Sequence, residues 1–181
     1  MQITMRRLGP IEVLRLGRKI VRDFHRYELA GYHYAERSIF AGRSMALEIA
    51  AAGRPCGYLV HELPDPDGLL RVAYLATEPR VRGHGVGQAV LRKLGADYPY
   101  AAIYFEVEDP AAARSRAEAE LMLRRIGFYD RCGFSLLSFR LTAGPWQLLV
   151  MTDTPEAEPL IRRRYAASWG KRTVRAWDGQ F

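Results

Sequence analysis

Arg82-Gly-His-Gly-Val-Gly87 is the stretch on which the reading of this chain turns. It follows Leu70-Arg-Val-Ala-Tyr-Leu-Ala-Thr77, which reads as a strand. It precedes Val86-Gly-Gln-Ala-Val-Leu-Arg-Lys-Leu94, which reads as a helix. Glycines at 83, 85 and 87 strip side chains from a strand-to-helix turn. Backbone N–H groups can then crowd around an anion, and the helix N-terminus adds its partial positive charge. The expected guest is a phosphate or pyrophosphate.

Two familiar phosphate loops do not account for the turn. A Walker A loop needs Gly-Lys-Ser/Thr, and none follows. A dinucleotide fold needs G-x-G-x-x-G after the first strand and an acidic residue about 20 positions on. Gly83 and Gly85 supply two of its glycines, and Glu106 or Glu108 lies at a suitable distance. The third glycine position, however, holds Gln88, or Val90 when counting starts from Gly85. Several strands precede the turn, and too little chain follows it for a doubly wound sheet.

Upstream, Gln2 to Leu8 reads as a strand. Ile11 to Ala30 reads as mostly helical, because Val13, Leu14, Leu16, Ile20, Val21 and Phe24 recur at helical spacing. Residues 31–42 are aromatic and irregular, a loop or short helix. Ser44 to Ala52 and Cys56 to Leu63 flank Gly53-Arg-Pro55 as a hairpin. Pro64-Asp-Pro-Asp-Gly68 is a turn before the strand that leads to the glycines.

Downstream, Ala101 to Glu108 reads as a strand with Ile103, Phe105 and Val107 on one face. Tyr104, Glu106 and Glu108 share the other. Asp109-Pro110 is expected to start a long helix through Asp130, stopping at Gly133. Phe134 to Leu141 and Pro145 to Thr152 read as closing strands, and the tail from Pro155 as helical. The order is strand, helix, three strands, helix, strand, helix, two strands, helix, which is a mixed α/β sheet.

The chain has 181 residues, 49% hydrophobic and 26% charged, enough for one domain with a proper core. No stretch approaches about 18 uninterrupted apolar residues, so no transmembrane helix is expected. Residues 1–7 lack the apolar run of a signal peptide. Cys56 and Cys132 form neither a metal spacing nor a disulfide framework. A reducing cytoplasm is therefore the expected location, with no metal cofactor and no membrane contact. The net charge of +7 concentrates in residues 161–181. There Arg162, Arg163, Arg164, Lys171, Arg172 and Arg175 face only Asp178. Such a tail either touches a polyanion or forms a solvated helix face. No nucleic-acid motif accompanies it, so nucleic acid is not expected as a partner.

Arg82-x-x-Gly85-x-Gly87 resembles the acyl-CoA pyrophosphate motif of the GNAT superfamily of N-acetyltransferases, Gln/Arg-x-x-Gly-x-Gly/Ala. Leu75-Ala-Thr-Glu-Pro79 looks like that family's strand end before the loop. Phe128-Tyr-Asp-Arg-Cys-Gly-Phe134 resembles its second signature, aromatic-Tyr-x-x-x-Gly-Phe. The resemblance covers about residues 44–152, with both motifs in the family's order. It implies a GNAT-like mixed, mostly antiparallel sheet flanked by helices, with a C-terminal helical extension. Residues 1–154 would form the acyl-CoA N-acyltransferase domain, and 155–181 a basic extension packed on it.

The resemblance also implies acetyl-CoA as co-substrate and transfer of its acetyl group to a primary amine. Backbone N–H groups of Arg82, Gly83, His84, Gly85, Val86, Gly87 and Gln88 would hold the pyrophosphate, with Arg80 and Arg92 as further cations. The backbone of Leu75, Ala76 and Thr77 would pair with the pantetheine arm and polarise the thioester carbonyl. An amine is protonated near neutral pH, so a base must remove a proton before attack. Glu106 is the first candidate. It interrupts an apolar strand, a costly choice unless the side chain meets water or a partner, and some ribosomal-protein acetyltransferases of the family carry a glutamate in a similar context. Its structural alternative is a salt bridge to an arginine of the next helix. Glu108, Glu78 and a water chain remain open as the base. Tyr129 matches the family's general acid for the departing thiolate.

The chain also departs from the family. Met122 stands where many relatives have asparagine, and the helix from Pro110 would be several turns longer. The acceptor is expected near Phe24-His-Arg-Tyr27, Tyr32-His-Tyr34 and Glu36, with Pro145-Trp146-Gln147 as a further wall. These aromatics could cup a cationic amine or simply pack. A small molecule and a peptide amine are both open as acceptor, a longer acyl group is open as donor, and a homodimer is compatible with the sequence. The alternative reading is a non-catalytic acyl-CoA-binding regulatory module.

Overall fold

The computed structural model describes residues 2–24, 28–143, 146–177 and 179, without the side chains of 28–31, 143 and 172. The chain divides into two compact units, residues 1–64 with 70–99, and residues 65–69 with 100–181.

The first unit contains β1 (Ile3–Arg7), α1 (Pro10–Asp23), α2 (Glu28–Phe40), β2 (Ser44–Ala51), β3 (Arg54–Glu62), β4 (Leu69–Thr77, whose Leu69 belongs to the second unit) and α3 (Val86–Asp97). Strands β1 to β4 pair antiparallel in chain order. Helix α1 starts with Pro10 in its first turn, where a missing N–H costs nothing. The Glu12 carboxylate accepts the Gly9 N–H at 2.8 Å. Val13, Leu16 and Ile20 form its buried stripe. The helix stops at Asp23, short of the expected Ala30. Phe24 turns extended and sets its ring edge-on against Tyr74, centroids 5.3 Å apart.

The segment read as irregular is helix α2. Its buried residues Tyr32, Ala35 and Ile39 stand at helical spacing, a pattern obscured by the surrounding aromatics. They join Val13, Leu16, Ile20, Val60 and Tyr74 in one core cluster.

The second unit contains β5 (Ala102–Glu108), α4 (Arg116–Asp130), β6 (Ser135–Ala143), β7 (Trp146–Thr152), α5 (Glu158–Trp169) and β8 (Val174–Ala176). Strand β7 pairs antiparallel with β5 and β6, and β8 pairs antiparallel with β6. The short β8 was not anticipated; it covers the far edge of β6 through Phe139↔Ala176 and Leu141↔Val174. Leu69, Tyr104, Phe139, Leu141, Val150, Ile161 and Tyr165 form the core beneath α5.

The expected long helix from Pro110 is two elements. A 3₁₀ turn spans Pro110–Ala112, capped by Asp109, whose carboxylate accepts the Ala111 N–H at 3.0 Å. Helix α4 then starts anew after Ser115. The Ser115 hydroxyl accepts the Glu118 N–H at 3.2 Å, and Glu118 accepts the Arg114 N–H at 2.7 Å. Ser115-x-x-Glu118 is a capping-box sequence, so the start was written in the chain. Among the described residues, no helix is long and apolar enough to cross a membrane.

Candidate functional site

In the first unit, β4 delivers the chain to the glycine turn. Leu75, Ala76 and Thr77 pair with Leu59, Tyr58 and Gly57 of β3, and the Glu78 N–H donates to the Cys56 carbonyl at 2.8 Å. The three residues are half-buried, whereas the start of the strand is buried. A single 3₁₀ turn, Pro79–Val81, reverses direction. Arg80 is tied down by Glu78 at 2.5 Å and by the Pro55 carbonyl at 2.7 Å. Arg82 Nε reaches back to the Thr77 carbonyl at 3.2 Å, bracing the loop against the strand end.

Gly83 and Gly85 both adopt left-handed backbone, φ +76° and +77°. This region costs glycine little and other residues more. Gly85 is the N-cap of α3, so no side chain caps the helix, and its first turn carries no acid. The N–H groups of Val86, Gly87 and Gln88 are thus the orphan donors of a helix start. A side-chain carbon added at Gly83 or Gly85 would meet nothing within 4 Å, so the surface above the turn is open. Val86 is buried and anchors the helix, while Gln88 is exposed. His84 is exposed too, its Nδ1 2.9 Å from the Arg82 carbonyl. Arg92 is exposed on α3. These features fit an anion bound by backbone.

A small cleft opens beside the same strand end, lined by Lys19, Arg22, Asp23, Tyr58, Thr77 and Glu78 among others. Asp23 accepts from Arg22 at 2.9 Å and from the Tyr58 hydroxyl at 3.1 Å. Burial acts to raise its pKa, but these two hydrogen bonds outweigh that and hold it below the usual carboxylate range.

In the second unit, β5 separates the two candidate acid–base residues. Phe105 faces α4 and α4's C-terminal neighbour, with its ring 4.2 Å from that of Tyr129 and 5.0 Å from that of Phe134. Alternation along the strand turns Glu106 to the opposite face. There the Tyr165 hydroxyl of α5 donates to Glu106 Oε1 at 2.5 Å. The arginine of the following helix bonds to a different glutamate, since Arg125 pairs with Glu108. Glu78, a further candidate base, is paired with Arg80.

Tyr129 sits in the last turn of α4. Its carbonyl accepts the N–H groups of Cys132 and Phe134, closing the helix. Gly133 takes the left-handed conformation there. Burial pushes the Tyr129 hydroxyl up to about 12, with Glu108 adding to the shift and Arg125 opposing it. The hydroxyl therefore stays protonated across the physiological range and is a hydrogen-bond donor.

The expected acceptor residues divide. Tyr32 is 3% exposed, its hydroxyl donates to the Val13 carbonyl at 2.5 Å, and burial raises it to about 12. It is a core residue, and Phe24 packs against the same core. Tyr34 is exposed, and His33 lies at the surface 3.5 Å from Glu36. Gln147 is held by Thr142 at 3.0 Å within the closing hairpin, where Trp146 begins β7. His25, Arg26, Tyr27 and Pro145 lie outside the described residues. Met122 is half-buried on α4. Among the described residues, no group of three or more potential metal ligands converges.

Three of the six cations of the basic tail pair with acids of their own unit. Arg163 pairs with Asp67 at 3.1 Å, Arg164 with Asp65, and Arg162 with Glu158 at 3.1 Å. Arg162 also lies over the Phe139 ring, 4.9 Å from its centroid. The residue that sequence reading missed is Tyr165. Its signal was Ile161, Tyr165 and Trp169 at four-residue spacing in the tail.

No protein-family model matches this chain, and no curated protein does. Solved structures do match. A Bacteroides thetaiotaomicron protein assigned to the GNAT acetyltransferase family is 20% identical, with a TM-score of 0.64 over 94% of this chain and 99% of its own. The ribosomal-protein alanine N-acetyltransferase of Escherichia coli is 15% identical, with a TM-score of 0.58 over 83% and 92% of the two chains. A spermidine N-acetyltransferase chimera from Vibrio cholerae is 14% identical, with a TM-score of 0.58 over 84% and 95%. At such identities the likeness is one of fold, and this chain has the mixed α/β fold of GNAT acetyltransferases, as its two motifs implied.

Proposed function

We propose that this protein is a GNAT-superfamily N-acetyltransferase, moving an acetyl group from acetyl-CoA to a primary amine. The observation that carries the reading is the uncapped start of α3. Two left-handed glycines precede it, at the end of an exposed strand-to-helix turn, in a chain with this fold. Bound acetyl-CoA would supply an activated acyl carbon as a thioester.

The N–H groups from Arg82 to Gln88 would hold its pyrophosphate, and the backbone of Leu75, Ala76 and Thr77 its pantetheine arm. Arg82 braces this loop. The Glu106 carboxylate takes the proton that a primary ammonium must lose before it can attack. Tyr129 donates a hydrogen bond to the departing sulfur. With its hydroxyl near 12, full proton transfer to a thiolate of pKa about 8.5 is uphill, so hydrogen bonding is its role. Tyr129 packs on Phe105, and Glu106 is the next residue of β5. Glu106 would serve the amine and Tyr129 the sulfur, at the single carbonyl carbon where C–N forms and C–S breaks. We take 1–154 as the transferase domain and 155–181 as its helical extension.

The acceptor is a small-molecule or peptide primary amine. An amine panel of spermidine, kanamycin and an alanine-initiated peptide, with detection of free CoA thiol, tests the reading. Thiol release with at least one amine is expected. Acetyl-CoA at about millimolar concentration is also expected to raise Tm, as any ligand of the native state does, while NAD does not. Binding without thiol release would identify a non-catalytic acyl-CoA-binding module. No Tm shift with acetyl-CoA would overturn the proposal.

A further inference from the structure

Resting on the proposed role of Glu106 as base, we infer that Tyr165 of the C-terminal helix is a positioning residue for that carboxylate, which makes α5 part of the catalytic apparatus. The two residues are far apart in sequence yet joined by a hydrogen bond of 2.5 Å, within the short range of bonds to a charged oxygen. Tyr165 is 3% exposed. Its ring is walled on three sides, by Tyr104 at 5.8 Å, Phe139 at 6.2 Å and Trp169 at 5.3 Å between centroids. A hydroxyl on so fixed a ring holds its acceptor in one place. Glutamate otherwise has three rotatable bonds, and a base works only where its oxygen meets the proton.

The rest of the helix is held in turn. Glu158 accepts from the Ser138 hydroxyl and, at 3.1 Å, from the Ser138 N–H, fixing the N-terminus of α5 to β6. Arg163 and Arg164 bind Asp67 and Asp65 of the turn before β4. That turn is itself rigid, because Asp65 Oδ1 accepts the N–H groups of Asp67 and Leu69 at 3.0 and 2.9 Å. Arg163 and Arg164 thereby form an ionic latch that seats Tyr165 under β5.

The test is a double-mutant cycle of Tyr165→Phe and Glu106→Gln, using the most active of the three probe amines. Tyr165→Phe keeps the ring and removes the hydroxyl. It is expected to lower kcat about tenfold, leave the KM for acetyl-CoA within about twofold and keep Tm near wild type. In the Glu106→Gln background it should cause no further loss, because the two changes act through one group. Independently of turnover, the ¹³C carboxyl signal of Glu106, assigned through Glu106→Gln, should move in Tyr165→Phe. Multiplicative losses, an unmoved signal or wild-type kcat in Tyr165→Phe would overturn the inference. Wild-type turnover in Glu106→Gln alone would instead remove Glu106 as the base. If Tyr165→Phe fails to fold, Asp65→Asn loosens the latch without touching the tyrosine and carries the same cycle.

Discussion

On the function proposed above, the two units would contribute in opposite ways. The first would offer backbone: the N–H groups of a glycine turn and the end of β4, around which His84 and Gln88 are exposed. The second would offer side chains, Glu106 held by the Tyr165 hydroxyl of α5 and Tyr129 packed on the Phe105 ring of β5. A backbone site tolerates side-chain change and fails when its conformation is blocked. A side-chain site behaves the other way round.

The comparison is sharpest at Glu106. Glu106→Gln is isosteric and should lower kcat by about 10²–10³-fold, with acetyl-CoA binding unchanged by calorimetry. Retained kcat would mean that a water chain or another carboxylate removes the proton. Next, Gly85→Val must place a β-branched residue at φ +77°, a strain of about 1–3 kcal/mol. Acetyl-CoA affinity should fall about ten- to a hundredfold, whereas His84→Ala and Gln88→Ala should change it by no more than about twofold. If the alanine variants lose as much as the valine variant, the first unit binds through side chains and the contrast fails.

Tyr129→Phe should lower kcat about tenfold while leaving acetyl-CoA binding intact. Parallel loss of binding and Tm would make Tyr129 a packing residue alone. Smaller still is Ser115→Ala, which removes the α4 cap for about 1 kcal/mol and should lower Tm by about 2–4 °C with no change in KM.

A last contrast concerns pH. His61 is fully buried in β3. Its Nδ1 lies 2.9 Å from the Glu62 carbonyl, and among the described residues its Nε2 has no hydrogen-bond partner. Burial lowers its pKa below the ordinary imidazole range, against the opposing effect of the Glu62 carbonyl. The folded state thus binds fewer protons than the unfolded state, and stability should fall as pH drops below about 6.5. Denaturant titrations of wild type and His61→Leu between pH 7 and pH 5 should show a shallower acid loss in the variant. Identical slopes would assign the acid sensitivity elsewhere.

The legibility of the chain follows the same division. The glycine turn was readable because backbone conformation is written in the residues that adopt it. Strands β1 to β7 were readable because their periodicity is local, whereas the three-residue β8 is too short to show one. Helix α2 was obscured because aromatic residues fit loops, helices and cores alike. The split between the 3₁₀ turn and α4 was written at Ser115-x-x-Glu118 but masked by the earlier start signal of Asp109-Pro110. Tyr32 illustrates the limit of composition: an aromatic expected to cup an amine proves to be a core residue bonded to the Val13 carbonyl.

By itself, then, the sequence determined the strand–turn–helix unit and the mixed α/β class from patterns no longer than one element and its neighbour, while the two acid–base candidates came from the resemblance those patterns carry. Only the tertiary structure decided which carboxylate pairs with Arg125, which arginines of the tail are neutralised, and that Tyr165 meets Glu106. Those pairings join residues distant in the chain. They depend on how helices seat on strands, which no local pattern encodes.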